Sequence, residues 1–277
     1  MALIDIRPSA LAGTWYEANP KTLAAQIDEW LGKAQIPNLN GQVLGVIAPH
    51  AGHKYSGFVA AHAFKTLQGL TPDYVAVISP FHNYSPYPIL TTSHQAYSTP
   101  LGNIEVHHQL LEEIQKKIDT PITKISNDKE HSLEIELPFL QRVIKKDFKL
   151  LPFMIRAQEP EISQKLGLAL AENSKNKNIL FVASTDLSHF YEQKIANKLD
   201  KEMLKRFESF NPESIFEAEQ TGKGFACGRV AVSTTLWATQ KLGADKTQTL
   251  YYATSGDVTK DFSSVVGYGA AVIIKTK

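Results

Sequence analysis

The residues of this 277-residue chain best suited to hold a metal or move a proton are its nine histidines and its one cysteine. Two of the histidines share a setting. His50 stands in Ala48-Pro49-His50-Ala51-Gly52, and His82 in Ser79-Pro80-Phe81-His82-Asn83. Each follows a short apolar run, VLGVIA (43–48) or YVAVI (74–78), and a proline breaks the run just before the histidine. Proline cannot donate to a β ladder, so it ends one, and Gly52 permits a tight backbone path. Imidazole is the commonest metal ligand, and two at successive strand ends suit a metal-type pocket. The alternative for either alone is a loop histidine bonded to a local carbonyl.

Ser184-Thr185-Asp186-Leu187-Ser188-His189 follows a further apolar run, ILFVA (179–183). Asp186 and His189 are close enough in sequence to act as a carboxylate-oriented acid or base; the plainer reading is a helix-capping Asp beside an exposed His. In Glu130-His131-Ser132-Leu133-Glu134-Ile135-Glu136, His131 and Glu134 share a face if the segment is helical. Acidic residues there also suit a helix start. Cys227, in GFACGR (224–229), stands at the entry to an apolar helix beside Arg229. Both neighbours lower a thiol pKa and would make a ligand or nucleophile; taken alone, an unpaired Cys is a small buried hydrophobe. His53, His62, His94, His107 and His108 carry no comparable context.

The elements that must position these side chains alternate. Continuous apolar runs at 43–48, 74–78, 150–155 and 179–183 predict strands buried on both faces, and 264–274 predicts a glycine-containing strand. Helical patterns fall at 57–67, 107–118, 160–173, 192–208 and 230–242. Another opens at Asn19-Pro20, with Asn as N-cap and Pro at the first position. This predicts an α/β fold: one domain over 1–277, a central mixed, mostly parallel sheet flanked by helices. Ligand sites in such sheets gather beyond the carboxyl ends of the strands.

At 43% apolar and 21% charged, with net charge +1, the chain has ample core and no Lys/Arg stripe interleaved with aromatics. That argues against a nucleic-acid partner. One cysteine excludes an intrachain disulfide and a Cys₄ zinc site. The N-terminal stretch MALIDIRPSALAG lacks signal-peptide character, and no apolar run is long enough to span a membrane. The expectation is a soluble, cytoplasmic protein with no membrane partner.

Six motifs in order, GTWY (13–16), APHAG (48–52) with YSG (55–57), SPFHN (79–83), EHSLEIELPF (130–139), STDLSH (184–189) and ACGR (226–229), resemble those of the Memo family. In bacteria and archaea that family includes protein B of the AmmeMemoRadiSam system. The resemblance implies a fold similar to the class III extradiol (LigB-type) dioxygenases. It implies metal ligands at His50, His82 and Cys227, with Asp186 and His189 lining the same cleft. It further implies iron or copper, with redox activity. Where the ring-cleaving dioxygenases place a carboxylate ligand, the matching residue is Cys227; such a softer site suits copper, zinc or thiolate-bound iron. Asn83 stands where animal members have a second histidine.

Three functions follow as expectations. The first is a metal-dependent oxidoreductase acting on a small substrate, in which Asp186, His189 and His131 move protons. The second is a module that binds a small-molecule or peptide ligand and works with radical-SAM and Ammecr-type proteins. The third is a cysteine hydrolase with Cys227 as nucleophile, which leaves the surplus of histidines unexplained.

Overall fold

Apolar runs too short for helices and without polar alternation have one stable place, the middle of a covered sheet. In the computed structural model, which describes residues 5–277, they occupy it. The first four residues, part of the N-terminal stretch read above, lie outside the described residues. In chain order the elements begin with β1 (Ile6–Arg7), α1 (Pro20–Lys33), β2 (Gly41–Ala48), α2 (His53–Lys65), β3 (Tyr74–Pro80), β4 (Ile89–Thr92), β5 (Ala96–Thr99) and β6 (Gly102–Glu105). The middle of the chain supplies α3 (His108–Gln115), β7 (Ile122–Ile125), α4 (His131–Glu134), α5 (Leu137–Val143), β8 (Lys149–Ile155), α6 (Pro160–Ser174) and β9 (Ile179–Ser184). The last part supplies β10 (His189–Tyr191), α7 (Gln193–Glu208), α8 (Pro212–Gln220), α9 (Arg229–Lys241), β11 (Lys246–Thr254), α10 (Ser255–Thr259) and β12 (Val265–Thr276).

The main sheet runs β10-β12-β2-β9-β3-β8-β4-β7, with β11 on the other edge of β12. Its centre is parallel: β2 with β9, β9 with β3, and β3 with β8. The flanks are mixed, since β12 pairs antiparallel with β2 and β11, and β4 antiparallel with β8. A small second sheet, β1-β5-β6, carries the N-terminal segment. This is the mixed α/β class expected, with more antiparallel pairing than the apolar runs alone imply.

Alternation along the central strands shows that both faces are covered. Val46, Val182 and Val272 belong to one apolar cluster, while Ile47, Ala183 and Ile273 belong to another. The helix opening at Asn19 is capped as expected, its side chain accepting from the N–H of Lys21 and Thr22. No helix among the described residues is long and apolar enough to cross a membrane.

Two close approaches shape the region beyond the strand ends. A Cβ on Gly228 would sit 2.2 Å from the Ser184 carbonyl oxygen, so only glycine lets α9 start against the end of β9. A Cβ on Gly267 would sit 1.8 Å from Asp200 Oδ2. Without it, the buried Asp200 carboxylate reaches the Ser188 N–H (2.8 Å) and the Tyr252 hydroxyl (2.7 Å), pinning the loop after β9.

Candidate metal centre

His50 leaves β2 with both sides of its backbone and ring engaged. Its N–H donates to Asp186 Oδ1 at 2.8 Å, and its Nδ1 lies 2.8 Å from Ser184 Oγ. The Ser184 hydroxyl has a single proton and gives it to the Ser132 carbonyl at 2.7 Å. Toward His50 it therefore accepts, Nδ1 carries the imidazole proton, and the Nε2 lone pair faces outward.

His82 is set by a different partner. Its N–H donates to Glu130 Oε2 at 2.6 Å and its Nδ1 lies 2.9 Å from Glu130 Oε1. Burial by itself would raise the Glu130 carboxyl. The bonds from His82 and from the Ser132 N–H outweigh it and bring the pKa down to about 2. As a carboxylate, Glu130 accepts from Nδ1–H and leaves His82 Nε2 as a free lone pair, the usual orientation of a ligating histidine. The same carboxylate caps α4, accepting from the N–H of His131 (2.9 Å) and Ser132 (3.0 Å). Glu130 is thus both the helix-start acid expected and a support for the site.

That cap delivers a third imidazole. His131 stacks on His82 with ring centroids 4.5 Å apart and meets His50 edge-on at 5.4 Å. The ligating nitrogens of His50, His82 and His131 all lie within 4.8 Å of one another. Burial disfavours the charged form of two of them: it takes His131 to about 4 against the opposing charge of Glu130, and His50 well below the usual imidazole range. Three imidazoles with nitrogens this close together are a donor set for zinc, copper or iron. The site chemistry therefore fits a transition metal.

Cys227 stands beside this trio through one member. Its Sγ is 3.2 Å from His50 Nε2 and accepts from the Asp186 N–H at 3.2 Å. Burial, and then the nearby Asp186, push the thiol well up, opposite to the lowering expected from its sequence neighbours. The Arg229 Nε, for its part, pairs with Glu219 at 2.8 Å. The neutral S–H points at the His50 lone pair. His131, expected to move protons, lies with the two strand-end histidines.

Asp186 and His189 reach the same cleft, a volume of about 430 Å³ lined also by Thr14, Trp15, Tyr55 and Tyr268. Burial raises Asp186 to about 7, although backbone N–H groups of His50 and Ala51 pull the other way. The His189 Nδ1 donates to the Leu187 carbonyl at 2.8 Å, so its Nε2 is free to accept a proton, and burial lowers its pKa. The next residue, Phe190, is 76% exposed at φ 64°, a strained setting for a bulky side chain.

Ser184 and Trp15 were not singled out from sequence, though both fall inside motifs that were. Trp15 packs over His131 at 4.4 Å between centroids. Tyr16 donates to Glu134 Oε1 at 2.7 Å, and Glu134 also accepts from Arg7, Ser9 and the Leu11 N–H. The GTWY and EHSLE motifs are therefore one structure, an N-terminal strap tied to the helix that carries His131. His53 and His62 are buried side chains.

Comparison with known proteins bears on the family and the fold. Residues 7–272 match the family model described as Memo-like protein. A MEMO1 family protein of Nitrosopumilus maritimus is 34% identical, covering 97% of this chain and all of its own length. Another from Methanopyrus kandleri is 33% identical over 96% and 98% of the two chains, and one from Methanosarcina barkeri is 32% identical over 97% and 100%. The crystal structure of an uncharacterized Escherichia coli K12 protein superposes with a TM-score of 0.51 at 11% identity, over 83% of this chain and all of that one. That likeness concerns the fold. With a full-length family match and relatives of this identity, the chain belongs to the Memo family.

Proposed function

We propose that this single Memo-like domain, 1–277, is a cytoplasmic metal-dependent oxidoreductase, dioxygenase-like in architecture, that acts on a small substrate in the cleft beyond β2, β3 and β9. The observation that supports it most is the meeting of three ligating imidazole nitrogens within 4.8 Å, two of them with their tautomers set from behind by Ser184 and Glu130. His50, His82 and His131 would hold iron or copper, with Cys227 as a further soft donor beside His50. Such an ion supplies electron transfer and Lewis acidity when bound.

The chain's own groups have definite parts in this reading. Glu130 and Ser184 orient imidazoles that would otherwise populate both tautomers, which lowers the cost of assembling the site. The Cys227 S–H gives up its contact with His50 Nε2 when that lone pair is used. Asp186, with a pKa of about 7, holds or releases a proton near neutral pH, and His189 Nε2 accepts one across the cleft. Trp15 and Tyr268 wall the space against water. Ring cleavage of catechols is not part of the proposal, because a thiol stands where those enzymes use a carboxylate.

Purification without chelator followed by elemental analysis tests the reading. Iron or copper at near-stoichiometric level in the wild type, and its loss in His50→Ala, is the expected result. No metal on purification, together with no binding of iron, copper or zinc by calorimetry, would overturn it.

A further inference from the structure

A second concavity lies away from the histidines. It is a trough of about 1440 Å³ running along α7, bordered by Gly222 and Lys223 after α8 and by Thr249 of β11. Lys194, Lys198, Lys201 and Lys205 line it, at spacings of four, three and four residues. At 100° per residue these four fall within an arc of roughly 60°, a single stripe on the outer face of α7. The stripe is about 16 Å long, and Lys223 adds a fifth ammonium from the side.

All five lysines are exposed. Among the described residues none of them forms an ion pair, although Glu202 and Glu208 lie on the same helix. Those acids are engaged elsewhere: Glu202 pairs with Arg206 at 2.8 Å, and Glu208 accepts from the Thr249 N–H at 2.9 Å. Like charges three and four residues apart destabilise a helix, and Lys194 opposes the dipole in the first turn, where α7 has no acid. In a chain of net charge +1, this is a local concentration of uncompensated cations that α7 maintains against its own stability.

We propose that the α7 trough is a docking surface for an acidic, amphipathic segment of another protein. Charge complementarity calls for carboxylates facing the stripe, and Ile195 and Leu199 beside it call for apolar side chains. Ile195 is 47% exposed. A nucleic acid fits less well: the trough presents no aromatic ring for base stacking, and its arginine, Arg206, is committed to Glu202 and Glu217. A flat bilayer does not match a concave floor. The trough begins at Lys194, five residues after His189 of the metal cleft, so a docked segment would lie with one end near the cleft mouth. The proposal does not depend on a metal in that cleft.

The test uses fluorescence anisotropy with the full chain and three labelled probes of equal charge: an amphipathic Glu/Leu peptide of about four helical turns, poly-glutamate, and oligothymidylate. The amphipathic peptide is expected to bind tightest and to weaken with added salt. Lys198→Glu/Lys205→Glu should weaken it by about tenfold or more, at unchanged far-UV circular dichroism. Lys198→Gln/Lys205→Gln should weaken it less, and Ile195→Ser should weaken the amphipathic peptide but not poly-glutamate. Absence of peptide binding, indifference to charge reversal, or oligothymidylate binding as tightly as the peptide would each overturn the proposal.

Discussion

The histidine cleft and the α7 trough solve opposite problems with polar side chains. In the cleft the supporting polar groups are buried and spoken for: Glu130 accepts from His82, His131 and Ser132, and Ser184 bridges His50 to Ser132. In the trough the ammonium groups are exposed and, among the described residues, in no ion pair. Buried polar networks are rigid because any displacement leaves an unpaired group in low dielectric. Exposed lysines are mobile, hydrated and individually weak. The first arrangement suits a small ion that demands fixed geometry, the second a partner that supplies its own countercharges.

That contrast predicts how each region fails. The largest effect should come from Arg7, whose guanidinium is 1% exposed and pairs with the buried Glu134 and Asp128. Arg7→Met strands two buried carboxylates and should cost about 3–5 kcal/mol. Thermal unfolding should then move down by roughly 6–20 °C, and an unchanged Tm would show that the strap is dispensable.

His53 gives the next effect, and it depends on pH. Burial lowers its pKa from 6.5 to about 4. The unfolded chain therefore takes up a proton at His53 below pH 6.5, while the folded chain does so only near 4. This group's penalty is absent above 6.5 and grows as the pH falls toward 4, reaching about 3 kcal/mol. His53→Phe removes it, so urea unfolding should show the variant gaining on the wild type across that interval and not above it. A constant difference from pH 7 to 4 would contradict the assignment.

Glu130→Gln preserves the volume but weakens the hold on His82 and the α4 cap. Zinc affinity measured by calorimetry should drop roughly 10- to 100-fold, whereas Lys201→Gln should leave it alone. The smallest effect is Lys201→Gln on stability. Removing one like charge from the stripe should stabilise α7 by about 0.2–0.5 kcal/mol, a shift that denaturation of matched samples can resolve; a clear loss would mean Lys201 has an internal partner.

The parts of the fold legible in the sequence were those with unmixed signals. Unbroken apolar runs marked β2, β3, β8 and β9 within a residue or two, and Asn19-Pro20 marked the start of α1. The short β4–β7 strands and the three-residue β10 carry no such run, since strands of three or four residues are decided by neighbours distant in sequence. The two strand-end histidines were readable because proline punctuates each. His131 as their companion was not, because only the cap by Glu130 aims it at them. The raised thiol pKa of Cys227 was not legible either, because burial, which sequence neighbours do not reveal, is its largest cause. The lysine stripe could be counted from spacing, but it becomes a surface only once α7 is known to face outward there.

Ser184 carries a consequence in the order of chain synthesis. His50, His82 and His131 leave the ribosome early, yet the hydroxyl that selects the His50 tautomer follows His50 by 134 residues. At the usual pace of translation that separation is on the order of ten seconds. Until β9 is made and docked, His50 is an ordinary imidazole with either nitrogen available. The centre is therefore a late product of folding, and its assembly reports that the middle of the sheet has closed.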